Sequence, residues 1–259
     1  MTPVSPAALD PATDVELGWF VYALVDADAD LPDDLEGLDG EPVEAVVHGR
    51  VAAVASQYRV DRPTGRAADL LAFHEVVDRL AQSVPAVVPV RFGSVLPARE
   101  SIVDDLLAPD EPWFADLVDQ VRGHVQLVVQ ALYDQEAVLR EVVESEPEIA
   151  WLRSRTRDLP EDAATGERVR LGELVAAAVD YRRELDSAAL LHEVVPLVED
   201  YRLRPVSGLE RVLDVALLVD PSRREELETR LERLAEEVHG RMRLRLVGPT
   251  AAYDFAEGP

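Results

Sequence analysis

The sequence predicts an α+β protein of two domains, with a ferredoxin-like C-terminal domain that carries helical insertions. The chain has 259 residues, 47% of them apolar, which is more than one average hydrophobic core organises. In its second half, strand and helix patterns follow the order β-α-β-β-α-β, which is typical of the ferredoxin-like arrangement. We expect a mobile tail at 1–14, an N-terminal α+β domain at 15–121, the ferredoxin-like domain at 122–248 and a C-terminal tail at 249–259.

The first predicted strand covers residues 17–25 and is apolar on both of its alternating faces. Such a strand is buried on both sides, so we expect it in the centre of its sheet. Two β-branched, alanine-rich runs at 43–47 and 51–56 lie on either side of Gly49. Because glycine readily adopts the positive φ of a tight turn, these runs predict a hairpin.

The next predicted element is an amphipathic helix that Pro85 ends. Its apolar residues recur at steps of three and four, and they are Leu70, Phe73, Val77, Leu80 and Val84. Residues 85–92 contain two prolines, which lack the N–H that a sheet needs, so we expect an edge strand or an irregular extended segment. Two short helices are expected at 100–107 and 113–121.

The second domain begins with a predicted strand at 123–133, in which we expect Gln126 and Gln130 to face outward. Further helical segments follow, the main one at about 168–200, and Pro196 should kink or end its last turn. We expect this helix to bury one stripe, made of Leu171, Leu174, Ala178, Tyr181, Leu185, Ala188, His192 and Val195.

Two strands near 201–206 and 212–219, a helix and a final strand at 241–247 complete the domain. Asp220 followed by Pro221 predicts the start of that helix. The ferredoxin-like order places the second and fourth strands at the sheet edges, where arginines discourage edge-to-edge pairing. We therefore expect exposed side chains for Arg202, Arg204, Arg241, Arg243 and Arg245.

Composition excludes several classes of function. The 51 acidic and 26 basic residues give a formal charge of -25, which repels nucleic acid and anionic lipid. Lysine and cysteine are absent, so lysine or cysteine nucleophiles, cysteine-ligated zinc and disulfides are excluded. The start lacks a signal-peptide pattern, and no window approaches the roughly 18 apolar residues that span a bilayer. These features predict a cytoplasmic protein.

Two patterns are similar to metal sites, but both are incomplete. His74 and Glu75 stand as in a zinc-protease helix, yet Asp78 occupies the position of the second histidine. Residues 26–37 begin like a calcium loop, but they lack its glycine at the sixth position and its glutamate at the twelfth. We therefore expect no catalytic residue, no metal and no cofactor.

Arg91 interrupts an otherwise apolar run, between Val90 and Phe92. Its guanidinium must either reach solvent or find a carboxylate. We favour an ion pair with Glu75 that fixes the extended segment to the preceding helix, and a partner-binding arginine is the alternative. Phe92 is expected to be buried.

Residues 74–96, HEVVDRLAQSVPAVVPVRFGSVL, closely resemble the signature of the gas vesicle protein GvpL/GvpF family, a His-Glu helix that runs into Pro-[LV]-Arg-Phe-Gly-[ST]. The matching residues are His74, Glu75, Pro89, Arg91, Phe92 and Gly93. The closing GPTAAYDF resembles the family's ending in Gly248, Pro249, Tyr253 and Phe255. It departs from that ending at 250–252, where Thr-Ala-Ala replaces Trp-Pro-Pro, so a role carried by that Trp is in doubt here.

The resemblance implies a non-enzymatic accessory protein of gas vesicle formation, found in the cytoplasm and at the vesicle. Its implied partners are the small hydrophobic shell subunit and other accessory proteins, and it would act as an assembly factor or a minor shell component. The matched residues would then be structural or would contact a partner. Two other hypotheses stay open: a metabolite-sensing module, because ferredoxin-like domains often bind ligands at sheet edges, and a metal-dependent hydrolase centred on His74 and Glu75.

Overall fold

The computed structural model describes residues 17–61, 65–160 and 164–256. The tail predicted at 1–14 lies outside these residues. By its contacts the chain divides into two compact units, Met1–Gln120 and Val121–Pro259. Each unit contains one antiparallel sheet together with helices, which confirms the α+β class.

The sheet of the first unit has the strand order β2-β3-β1-β4, and β5 also pairs with β1. The elements of this unit are β1 (Leu17–Asp26), β2 (Val43–His48), β3 (Val51–Arg59), α1 (Ala67–Ser83), β4 (Val88–Pro89), β5 (Val95–Leu96), α2 (Arg99–Ser101) and α3 (Glu111–Val121). Between α2 and α3 the chain continues in helical turns at Ile102–Leu107 and Ala108–Asp110. β1 is central, as its two apolar faces predict, and its residues 20–25 are all buried.

β2 and β3 form the predicted hairpin, with His48 opposite Val51 and Gly49 at φ 58°. The acidic loop after β1 is fixed by the hydroxyl of Tyr22, which accepts a hydrogen bond from the Leu38 amide at 2.8 Å. A Cβ atom on Gly37 would lie 2.2 Å from that hydroxyl. Only glycine therefore allows the loop to pack this closely on β1.

The sheet of the second unit has the strand order β7-β8-β6-β9, and all of its pairings are antiparallel. The elements are β6 (Val125–Tyr133), α4 (Gln135–Ser145), α5 (Pro147–Thr156), α6 (Thr165–Val194), β7 (Asp200–Leu203), β8 (Arg211–Val219), α7 (Arg224–Glu237) and β9 (Met242–Thr250). The second and fourth strands of this sheet, β7 and β9, lie at its edges as predicted. Asp220 caps the turn before α7 by accepting a hydrogen bond from the Ser222 amide at 2.8 Å.

The sheet of the second unit is buried on both faces in its central strands. Leu127, Val129 and Ala131 of β6 pack in the main core with residues of the helices. On the opposite face, Gln126 is 2% exposed and Gln130 is half-buried. Both glutamines lie on the face opposite the core, as predicted, but neither is fully exposed to solvent, because Gln126 bonds to Asp254 of the C-terminal segment and Gln130 bonds to Asp214.

The buried stripe predicted for α6 is wrong in its second half. Tyr181 and Leu185 are 62% and 55% exposed, whereas Val179, Leu190 and Val194 are buried. Apolar residues lie on several sides of this helix, so the sequence alone does not determine which side its neighbours cover. Its predicted end is confirmed, since a short 3₁₀ turn containing Pro196 follows Val194.

Three of the five edge arginines, Arg202, Arg243 and Arg245, are exposed as predicted. Arg204 and Arg241 are half-buried instead. Each of these two is held by carboxylates of its own unit, and a long side chain that forms such pairs need not reach solvent.

Candidate partner-binding surface

Helix α1 has one face in the core and one face exposed. Its first turn is stabilised by Asp69, whose Oδ2 accepts a hydrogen bond from the Arg66 amide at 3.2 Å. Core residues Phe73, Val76, Val77 and Leu80 are at most 1% exposed. The helix ends before Pro85, as predicted.

The exposed face of α1 carries apolar side chains. Leu71 is 70% exposed and Leu70 is 43% exposed, so the prediction that Leu70 belongs to the core is wrong. Val76 occupies the core instead of Leu70. His74 and Glu75 also lie on the exposed face, where the His74 ring contacts the Phe73 ring with centroids 5.6 Å apart.

After α1 the chain pairs with β1 at two points. In β4, Pro89 lies opposite Ala23, which confirms that the proline-containing segment is a short strand at the sheet edge. In β5, Val95 lies opposite Phe20. Between these points the residues 90–94 bulge away from β1, held by hydrogen bonds from the Val90 amide to the Tyr22 carbonyl and from the Val21 amide to the Ser94 carbonyl.

The bulge contains a tight turn at Arg91-Phe92-Gly93-Ser94. The Ser94 amide and hydroxyl both donate to the Arg91 carbonyl, at 3.2 and 2.7 Å. Gly93 has φ 91°, a conformation that residues with a side chain rarely adopt. The glycine of the motif is therefore required by the turn itself.

This turn directs two adjacent side chains to opposite environments. The Phe92 ring lies 5.4 Å from the Phe73 ring and 5.7 Å from the Phe20 ring, centroid to centroid. Phe92 is nevertheless only half-buried, which corrects the prediction of full burial: it closes the edge of the aromatic cluster. Arg91 is exposed.

The predicted ion pair between Glu75 and Arg91 is absent. Both side chains are exposed, and neither forms an ion pair with any residue in 17–61, 65–160 or 164–256. Glu75 is exposed on α1 and Arg91 is exposed on the turn after β4. We give the name motif surface to the exposed side chains of Arg91, in the turn, and of Leu70, Leu71 and His74, in α1. The contact between Phe92 and Phe73 links the turn to this helix.

The second group of motif residues lies at the end of β9. Gly248 has φ 118°, and a Cβ atom there would approach the Gln126 carbonyl oxygen to 2.8 Å. Pro249 is exposed and Tyr253 is half-buried, whereas Phe255 is only 2% exposed. The Arg202 guanidinium lies over the Phe255 ring, 5.1 Å from its centroid.

Asp254, which no sequence pattern marks, holds this segment on the sheet. Its carboxylate accepts hydrogen bonds from Arg204 Nε at 2.8 Å and from Gln126 Nε2 at 2.7 Å. Its amide donates to Gln126 Oε1 at 2.9 Å. The segment predicted as a tail at 249–259 is therefore packed through residue 256, and Ala251 and Ala252, which replace part of the family's Trp-Pro-Pro, are buried.

Burial and pairing change the pKa of several groups in these networks. Burial raises the pKa of the Tyr22 hydroxyl, although its bonds to Ser56 and the Leu38 amide oppose the shift. Burial, followed by the hydrogen bond to Asp186, also raises the pKa of Tyr133. The hydrogen bond to Asp254 raises the pKa of Arg204. Each of these pKa shifts is caused by burial or by a hydrogen bond within the fold.

Two features of the described ranges concern metal binding and membrane insertion. No cluster of three or more histidine and carboxylate side chains there is arranged to hold a metal ion. None of the helices in the described part of the chain is long and apolar enough to cross a membrane.

The fold and the motif residues define an α+β protein with two antiparallel sheets and an exposed, Arg-bearing turn anchored in a core of aromatic rings. The sequence model of the family described as gas vesicle synthesis protein GvpL/GvpF matches residues 18–257. The chain therefore belongs to the GvpL/GvpF family, whose role is in gas vesicle formation.

Individual relatives agree with this family over nearly the whole chain. Gas vesicle protein F of Streptomyces sp. (strain CB03234) is 30% identical over 249 residues, covering 93% of this chain and 100% of the relative. Gas vesicle protein L of the same strain is 27% identical and covers 92% of each chain. The crystal structure of the gas vesicle protein GvpF from Anabaena sp. PCC7120 is similar in fold, with a TM-score of 0.81, 20% identity and coverage of 93% and 99%.

Proposed function

We propose that this chain is a non-enzymatic assembly factor of gas vesicles that binds the small hydrophobic shell subunit, other accessory proteins, or both. The observation that carries the proposal is that two adjacent residues of one turn differ: one is packed against the core and the other is exposed. Phe92 anchors the turn among Phe20 and Phe73, and Arg91 beside it is exposed, with no ion pair to any described residue. Such an arrangement holds an arginine ready for a partner at little cost in conformational entropy.

The exposed face of α1 supplies the apolar part of this surface. Leu70 and Leu71 are exposed on the helix whose Phe73 packs against Phe92. Protein interfaces commonly combine an apolar centre with a few directional polar contacts, and arginine is enriched among the residues that contribute most to binding. A very hydrophobic shell subunit requires apolar surface on its partner before it assembles. We propose that the motif surface performs this task.

Two finer parts of the proposal concern fold and location. We infer that the second unit is ferredoxin-like. Across its sheet, β7-β8-β6-β9, the second, third, first and fourth strands of the unit follow one another, and this is the ferredoxin-like order.

We also propose that the protein acts in the cytoplasm and at the growing vesicle. The formal charge of -25 supports a partner that is neither nucleic acid nor an anionic membrane surface.

Expression of the complete gas vesicle gene cluster with and without this chain tests the proposal. We expect the cluster that lacks the chain to give few or no buoyant vesicles, and a plasmid copy of the chain to restore them. Normal vesicles without the chain would contradict the assembly role. Co-purification with intact vesicles before and after a surface-stripping wash then separates the two forms of the proposal, because a minor shell component should resist the wash.

A further inference from the structure

Strand β9 presents an open edge with two different faces. It pairs with β6 on one side, and it ends the sheet on the other. Met242 is buried and Leu244 is half-buried on the helix side of the strand, where both belong to the core of the second unit. Arg243 and Arg245 alternate with them and are exposed. The edge is therefore apolar toward the helices and basic on the opposite face.

The two exposed arginines differ from the other arginines of the same sheet edges. Arg204 and Arg241 are held by carboxylates at 2.5 to 2.8 Å. Arg243 and Arg245 form no ion pair within the described ranges of the chain, although the sequence has 51 acidic residues and 26 basic ones. Two basic side chains that form no ion pair in so acidic a chain can attract external carboxylates.

An apolar groove lies beside this edge, between β9 and α7. It encloses a cavity of 280 Å³. Its apolar lining consists of Val129, Leu231, Ala235, Leu244 and Leu246. Glu228 and Glu232 of α7 and Arg245 of β9 complete its lining. The groove therefore accepts apolar side chains, and its two carboxylates outnumber its one guanidinium, so it disfavours acidic ones.

We propose that the open edge of β9 binds an extended segment of a partner protein by strand addition, and that the segment alternates apolar and acidic residues. The main-chain groups of β9 that point away from β6 would form the new ladder. Apolar side chains of the added strand would enter the groove, and its acidic side chains would lie beside Arg243 and Arg245. A slip of one residue would place acids against Glu228 and Glu232, so the alternation also determines the register.

Charge also argues against a second copy of this chain as the occupant. If two β9 strands paired antiparallel, Arg243 and Arg245 of one copy would lie near the same residues of the other. Like charges opposite each other destabilise a strand pair. The same two arginines that disfavour self-pairing therefore select an acidic partner. This inference concerns a surface other than the motif surface, and either can fail without the other.

A fluorescently labelled peptide that alternates valine and glutamate tests the inference with the full-length protein. Fluorescence anisotropy at low ionic strength should show saturable binding that is about tenfold tighter than that of the matched valine-lysine peptide. Hydrogen exchange should show protection at residues 242–250. N-methylation of alternate peptide amides, which removes ladder hydrogen bonds and keeps every charge, should abolish binding.

Charge reversal in the protein separates strand addition at β9 from general attraction. The double variant Arg243→Glu with Arg245→Glu should prefer the lysine peptide. The matched variant Arg153→Glu with Arg157→Glu, two exposed arginines of the same unit, should retain the preference of the wild type. Equal binding of the N-methylated peptide, protection outside β9, or an unchanged preference in the β9 variant would each overturn the inference. Dimerisation of the wild type through β9 would overturn it as well.

Discussion

Phe92 packs edge-on against Phe73, with ring centroids 5.4 Å apart and ring planes at 82°. This contact joins the motif turn to α1, the two parts of the motif surface. Edge-to-face aromatic pairs contribute about 0.5–1.5 kcal/mol beyond the area that they bury. The turn is therefore held by a side-chain contact that is separate from the exposed Arg91.

Substitution Phe92→Ala should destabilise the first unit by about 2 kcal/mol. Full burial would predict about 3–5 kcal/mol, and the half-buried position of Phe92 lowers the loss. Urea denaturation measures the difference in the free energy of unfolding. The fully buried Phe73→Ala variant is the control and should lose about 3–5 kcal/mol. Equal losses in both variants would mean that Phe92 is buried more completely than the structure indicates.

Substitution Asp254→Ala should release the C-terminal segment from the sheet. It removes the acceptor of Arg204 and Gln126, and Gln126 is 2% exposed, so its amide would be left buried without this partner. We expect a loss of about 1–3 kcal/mol and faster hydrogen exchange at residues 251–256. Asp34→Ala breaks an exposed ion pair with Arg79 and should leave the stability near that of the wild type. Unchanged exchange in the Asp254 variant would contradict the anchoring role.

Substitution Gly248→Ala should destabilise the second unit by more than 1 kcal/mol. Its φ of 118° is unfavourable for alanine, and the new Cβ atom would lie 2.8 Å from the Gln126 carbonyl oxygen. Gly172→Ala in α6 is the matched control, because apart from its chain neighbours and the backbone of its own helix no described atom lies within 4 Å of the added Cβ. That change should raise the melting temperature, since alanine favours a helix by about 1 kcal/mol over glycine. A harmless Gly248→Ala substitution would contradict the backbone geometry at the end of β9.

Stability should fall as the pH rises above about 10, the ordinary pKa of tyrosine. The pKa values of Tyr22 and Tyr133 are raised in the folded protein, mainly by burial, so the unfolded chain loses these protons first. The contribution of each tyrosine to stability is complete below its pKa in the unfolded chain and is lost as the pH rises toward its pKa in the folded protein. For each tyrosine the loss is at most about 1.4 kcal/mol for every pH unit. Because the chain has no lysine, the other side chains that titrate in this range are mainly its four remaining tyrosines.

Urea midpoints between pH 8 and 11.5 measure this dependence. Tyr133→Phe should reduce the slope, at the cost of its hydrogen bond to Asp186 at every pH below the transition. Tyr181→Phe, at a residue that is 62% exposed, should keep the slope of the wild type. Equal slopes for all three proteins would show that the tyrosines do not cause the alkaline loss of stability.

Much of the fold follows from local patterns in the sequence. β1 is apolar on both faces and is central, and Gly49 turns the predicted hairpin. The two edge positions of β7 and β9 follow from the order of elements, and Pro196 ends α6. These features depend on the spacing of neighbouring residues or on the order of elements along the chain, and the sequence records both directly.

The predictions that are wrong or incomplete depend on contacts between distant residues. Gln126 alternates as an outward-facing residue should, but Asp254, which is 128 positions further along the chain, covers it. Glu75 and Arg91 have compatible charges, yet both are exposed and do not pair with each other. Leu185 fits a helical stripe, but α6 packs through another side. Local periodicity does not contain this information.

The central claim is that the motif surface, and Arg91 in particular, binds a partner during gas vesicle assembly. The most direct test is the yield of buoyant vesicles from the gene cluster that carries Arg91→Glu, with Arg153→Glu, at another exposed arginine, as the control. Because Arg91 is exposed, the purified variant should unfold within about 0.5 kcal/mol of the wild type. We predict a several-fold loss of vesicles for Arg91→Glu and none for Arg153→Glu. A normal vesicle yield from the folded Arg91→Glu protein would contradict the account.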